Sequence, residues 1–181
     1  MKKQLSLSLI LVLLCACTPS GAVSVEESQT REAVDGSYSV GNESVRLNYV
    51  YAHKMKSVAG DKDYDIVVLL TDKPISVEMT SENIEHLGFF MMEHNLRCLE
   101  LEFTRNNLFL GRDPSRKDWG FHYGHAHHGK RGITFGKSEE GIKVEQAGNK
   151  LTGTAKATGI RGDQTGDLSF SVSFKATLKD K

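Results

Sequence analysis

Leu168, Phe170, Val172, Phe174, Ala176 and Leu178 alternate without error against Ser169, Ser171, Ser173, Lys175 and Thr177. A period of two puts one set of side chains on a buried face and the other in water, so this stretch is expected to be a half-buried β-strand. Near the start of the patterned region, Tyr38 and Val40 lead into Gly41-Asn42, and Val45, Leu47, Tyr49 and Tyr51 then fall on alternate positions. That spacing predicts a hairpin whose second strand runs on through Tyr51. Asp65-Ile66-Val67-Val68-Leu69-Leu70 is instead a short apolar run rich in β-branched residues, suited to a strand covered on both faces. Thr71-Asp72-Lys73-Pro74 ends it, because proline has no N–H to give a ladder.

One segment carries the helical period. Thr80 or Ser81 serves as N-cap, Glu82 and Glu85 sit where the helix dipole favours anions, and Ile84, Leu87, Phe90 and Met91 form one stripe ending near His94-Asn95. Such a helix must bury its stripe, so it is expected to flank the sheet. Beyond it, Arg97 to Phe103 and Leu108 to Leu110 read as a hairpin, and residues 111–130 as a long connection bearing glycine and histidine. Ile133 and Phe135, Ile142 and Val144, and Leu151 to Ala157 supply further strands. The expected fold is mainly β: an antiparallel β-barrel or β-sandwich of about eight strands with one flanking α-helix.

The first residues obey a different logic. Lys2 and Lys3 precede an apolar stretch from Leu5 to Leu14, the layout of a secretory signal and too short for a permanent membrane span. Leu14-Cys15-Ala16-Cys17 resembles the bacterial lipobox, in which a small residue precedes the cysteine that is acylated. The resemblance implies a lipid on Cys17, cleavage before it, and a further acyl chain on the new amino terminus; two or more chains hold a domain stably on a membrane where one does not. Thr18 follows, rather than the aspartate that retains many such proteins in the inner membrane, so the expected address is the cell envelope, and the outer membrane before the inner. Residues 1–16 are then signal peptide, 17–35 a polar tether, and 36–181 a single β-rich domain.

Charge and cysteine content narrow the function classes. The chain of 181 residues has 23 basic and 23 acidic residues; without Lys2 and Lys3 the balance is 21 to 23, or about −2, with no basic stripe to suit nucleic acid. Cys15 leaves with the signal and Cys17 takes the lipid, so Cys98 is the one thiol left in the domain and no internal disulfide can form. Its apolar flanks suit a buried structural thiol.

RLNYVYAHK (Arg46 to Lys54), DIVVLLTDKPIS (Asp65 to Ser76) and GDLSFSVSFKATL (Gly166 to Leu178) together resemble a group of exported all-β bacterial proteins of unassigned function. The resemblance implies a secreted β domain. It carries over no catalytic or binding residue.

The strongest local chemistry is Phe121-His122-Tyr123-Gly124-His125-Ala126-His127-His128. In extended backbone His125 and His127 project to one face, the way an H-x-H pair offers two imidazoles to one ion, and His122 or His128 is a candidate third ligand for zinc or another divalent transition metal. The alternative is a surface segment in which histidine and glycine serve turn geometry. Trp119, Phe121 and Tyr123 also alternate, as a candidate rim for a ligand or partner or as anchors of the long connection. His86 and His94 read as a solvated helix face, and Asp163 to Asp167 as a turn. No nucleophile elbow or phosphate loop emerges. The leading expectation is therefore a lipid-anchored, non-enzymatic module that binds a small ligand or an envelope protein; the alternative is a periplasmic metal-binding protein using His122, His125, His127 and His128.

Overall fold

The computed structural model describes residues 32–56, 64–76, 90–91, 93–105, 118–136, 141–162 and 166–180; the leader, Cys17 and most of the tether lie outside them. The flawless C-terminal alternation forms strand β10 (Leu168–Lys179), and this strand organises the sheet. It pairs antiparallel with β1 (Ala33–Val40) on one side and with β9 (Lys150–Ile160) on the other. Its last residues, Leu178 and Lys179, run parallel to Ala52 and His53 of β3 (Tyr49–Lys56). From β3 the sheet continues through β4 (Tyr64–Thr71), β5 (Arg97–Thr104), β6 (Gly120–His128) and β7 (Arg131–Gly136). On the other arm β2 (Glu43–Arg46) edges β1, and β8 (Lys143–Ala147) edges β9.

The protein is thus mainly β, but of the two expected architectures, antiparallel barrel or sandwich, the closed barrel does not form: the ten described strands make one open, mixed sheet. Closure fails because β2 pairs only with β1, β8 only with β9 and β7 only with β6, so these three edges stay unpaired among the described residues. The two arms, continuous through β10, fold toward each other over one apolar core that includes Leu99, Leu101 and Phe103 from one arm and Phe170, Val172 and Phe174 from the other. Phe135 on β7 packs 5.2 Å from Phe170 on β10, ring centre to ring centre.

Side chains bridge the gap that backbone pairing leaves. Tyr38 on β1 donates its hydroxyl to the His127 carbonyl at 2.7 Å, and Glu43 on β2 meets His128 Nε2 at 2.7 Å. Tyr38 is buried, and burial holds its phenol well above the usual range, so it stays a neutral donor. Tyr38→Phe leaves that carbonyl without its partner, and chemical denaturation should show a loss of about 1–3 kcal/mol.

The hairpin at Gly41-Asn42 forms as its sequence indicates, but the following strand breaks. At Leu47-Asn48 the chain leaves one arm for the other: Leu47 N–H donates to the Gly36 carbonyl and Asn48 N–H to the Thr71 carbonyl. The break shifts the alternation by one, so Val45 and Leu47 point into the core, Val50 and Ala52 follow them, and Tyr49 and Tyr51 fall on the opposite face. Only a small part of the segment expected to be a flanking helix is described. Phe90, Met91 and Glu93 are helical, and a left-handed Asn95 (φ 51°) lets Leu96 N–H reach back to the Met91 carbonyl, closing the turn as a C-cap. Met91 is fully buried with Val67, Leu69, Ile75 and Cys98, which covers part of the outer face of β4 and β5. That cover is why the β4 run is apolar on both sides.

The largest departure is β6. The Gly- and His-bearing stretch expected to be a connection is, from Gly120 to His128, a central strand between β5 and β7. Past Phe121 its inward positions are Gly124 and Ala126, and the Phe135 ring lies over Gly124 and fills the place a Cβ would take. A strand whose core face is glycine and alanine and whose other face is histidine has no apolar alternation to detect.

Candidate functional site

Residues directly opposite in antiparallel pairing share a face, so register alone composes the outer surface of β3–β7. One row reads His53, Val67, Glu102, Tyr123, Gly136 across the five strands; the next reads Tyr51, Leu69, Glu100, His125, Thr134; a third reads Tyr49, Thr71, Cys98, His127, Gly132. Asp65 on β4 belongs to the same face one step beyond Val67. Part of this surface is the apolar cluster around Val67 and Leu69, and the rest is polar and covered. His53 and His127 are each 1% exposed, Asp65 and Glu102 3%, and Glu100 8%.

The electrostatics follow from that burial. Desolvation pushes the Glu102 carboxyl up to about 7, with Asp65 and Glu100 adding repulsion, while the Tyr123 hydroxyl opposes the shift by hydrogen-bonding the carboxylate. The Tyr123 phenol is itself raised by burial and by Glu102. Burial lowers the basicity of His125, helped by the neighbouring His127 and partly offset by Glu100; His53 is lowered by burial and by Lys179, its register partner on β10. Both ring nitrogens of His53 and of His127, and Oδ1 of Asp65, are buried without a hydrogen-bond partner. His127 Nε2 stands 3.5 Å from Glu100 Oε2, too far for a good charge-assisted bond.

The structure separates the four clustered histidines. His125 and His127 share the outer face with ring centres 4.2 Å apart and planes tilted by 31°. Imidazole lone pairs lie in the ring plane, so rings this nearly parallel aim them side by side rather than at one point. His125 Nδ1 is engaged 2.7 Å from Thr134 Oγ1, and its Nε2 occupies the space left by the missing side chain of Gly132. His128 lies on the other side of the strand, against Tyr38 and Glu43. His122 has no register partner, because a β-bulge sets Glu102 opposite Tyr123 but Phe103 opposite Phe121. Among the described residues no three of His, Cys, Asp or Glu are arranged to hold a metal ion.

The same bulge disperses the aromatic trio. Phe121 turns inward between Phe103 and Phe135, with ring centres 6.1 and 5.9 Å away. Trp119 is buried, with Arg105 4.3 Å above its ring and its Nε1 donating to Gln146 Oε1 at 2.9 Å. Tyr123 alone of the three faces the polar field. Cys98 is fully buried there, its thiol held well above the usual range by burial and by Glu100, which suits packing and not thiolate chemistry.

Sequence reasoning missed His53, Asp65, Glu100 and Glu102. A signal existed, because an apolar β4 covered on both faces implies that the outward residues of its neighbour β5 are covered as well. Glu100 and Glu102 alternate with Leu99, Leu101 and Phe103, so they had to lie under that cover.

No family model, curated protein or solved structure matches the chain. A role for the protein has to be inferred from the geometry of the site itself.

Proposed function

We propose that this protein is an exported, lipid-anchored binding module of the cell envelope, non-enzymatic, that receives a small ligand on the polar outer face of β3–β7. The observation that carries the reading is a set of covered polar atoms without partners, on His53, Asp65 and His127, spread over the outer face of β3, β4 and β6, with open space at Gly136 on the β7 side. Buried polar groups ordinarily find partners, and a face that carries several without them is one that a bound molecule can complete. The face offers no ready nucleophile, since the Cys98 thiol is held in its neutral form. Screening charged and neutral small molecules against the full chain by amide NMR tests the reading; shifts should concentrate on β5, β6 and β7, and a screen that moves none of them defeats it.

The anchor rests on the lipobox-like Leu14-Cys15-Ala16-Cys17, and the outer membrane is favoured by Thr18. Radiolabelled palmitate should enter the wild-type chain, and Cys17→Ala should abolish both the label and fractionation with membranes.

A metal-binding role draws support from one observation, the adjacency of His125 and His127. To hold one ion the two rings must turn out of their near-parallel pose, and His125 must give up Thr134. Zinc titration of wild type against the His125→Ala/His127→Ala pair tests it, and equal weak binding in both removes it.

A further inference from the structure

We infer that the ligand of this face is a small organic cation, a primary ammonium or guanidinium compound, that enters over Gly136 past Tyr123 and is held by Glu102, Asp65 and Glu100. The inference rests on the binding reading above and names the chemistry of its ligand.

Charge is the first ground. Three covered carboxylates share one face, and among the described residues no lysine or arginine of β3–β7 faces them. Lys179 on β10 stands beside His53, at the opposite end of the row from Gly136, and does not offset Glu102. Covered carboxylates without a cation are costly, and a folded chain relieves the cost by protonating one or by binding a positive ligand.

Hydrogen-bonding capacity is the second. Ionised carboxylates only accept, the Tyr123 hydroxyl is already given to Glu102, and Asp65 Oδ1 adds a further vacant acceptor. This surplus of acceptors matches a ligand that brings several N–H donors together with its charge. Access is the third ground. At Gly136, next to Tyr123, a Cβ would meet nothing within 4 Å, and Tyr123 and His125 are only half-buried, so the row is open from the β7 side and closed toward β4. A divalent ion meets the same charge but not the same geometry, because the ring lone pairs do not converge.

Binding should expel the proton that Glu102 retains near neutral pH, so affinity should rise as pH climbs from about 6 to about 8. The probe is 1,4-diaminobutane, with 1,4-butanediol as a neutral molecule of similar shape, titrated calorimetrically into the full chain in detergent. We expect the diamine to bind and the diol not to, Glu102→Gln to weaken the diamine about 30-fold or more by removing one partner of a buried charge pair, and Gly136→Val to weaken it by closing the entry. Glu43→Gln, at the Tyr38 clasp on the other arm, should leave affinity unchanged. Equal binding of diol and diamine, unaltered affinity in Glu102→Gln, or uptake of zinc chloride but not diamine would each overturn the cation assignment while leaving a binding face in place. Silence of this face toward every compound of the screen would remove the binding reading and the cation assignment together.

Discussion

Gly36→Ala is expected to destabilise the fold by about 3–5 kcal/mol, seen as a large drop in the denaturation midpoint with the slope preserved. Gly36 sits in β1 with φ of 133°, a region side chains rarely enter, and forcing one there costs roughly 1–3 kcal/mol. A Cβ would also overlap the Ser171 carbonyl oxygen and stand 2.7 Å from Val172 Cα. Both obstacles are backbone atoms of β10, which is pinned on its other side by β9 and cannot retreat as a side chain can. Overpacking of this kind adds a further ~1–3 kcal/mol. For a domain of ordinary stability the sum is about a fifth or more of the total. Gly148→Ala, at a hairpin turn where φ is 62° but nothing lies within 4 Å, isolates the backbone share and should cost clearly less.

Glu102→Gln should have the opposite sign. The Glu102 carboxyl titrates near 7 in the folded chain against an ordinary 4.5, so the folded state holds the proton more tightly than the unfolded one. Its contribution to stability is then fully present below about pH 4.5 and is lost as pH rises through 7. The glutamine variant keeps an oxygen for the Tyr123 hydroxyl and has no charge to bury. Above about pH 7 it should exceed wild type by of order 2–3 kcal/mol, and the gap should shrink as pH falls toward about 5. His53 and His125, whose pKa values are lowered, act the other way: their contribution is present above the ordinary imidazole pKa and fades as pH falls through it. Both proteins share those histidines, so the difference curve reports Glu102, and parallel curves for the two would refute its assignment. A gain in stability from deleting a charge that the proposed binding needs is the trade-off expected of a functional position.

Gly36 and Glu102 differ in how far the chain discloses them, and the strands around them differ in the same way. Those legible from their pattern have one dry face and one wet one, β10 above all, or are covered twice like β4, whose apolar run is unmistakable. Tyr49 and Tyr51 fall on the face opposite to the expected one because the alternation that includes them belongs to two strands in different arms, joined at Leu47-Asn48 without any proline or glycine to mark the corner. β6 escapes because two of its inward residues, Gly124 and Ala126, are small, and Phe135 meets Gly124 only once β7 has paired. The bulge at His122, which decides that Phe121 serves the core while Tyr123 serves the polar face, depends on the pairing of β5 with β6 and leaves no local trace. The face that gathers Glu100, Glu102 and the imidazoles is assembled from five strands, so its members can be named singly from the sequence but their company cannot.

β10 has one more consequence. A ribosome releases residues in order, and Ala33 of β1 emerges long before Lys175, the residue it must lie against. β1 and β9 lie on either side of β10 and do not pair with each other, so the hairpins β1–β2 and β8–β9 are joined only once Leu168 to Lys179 lies between them.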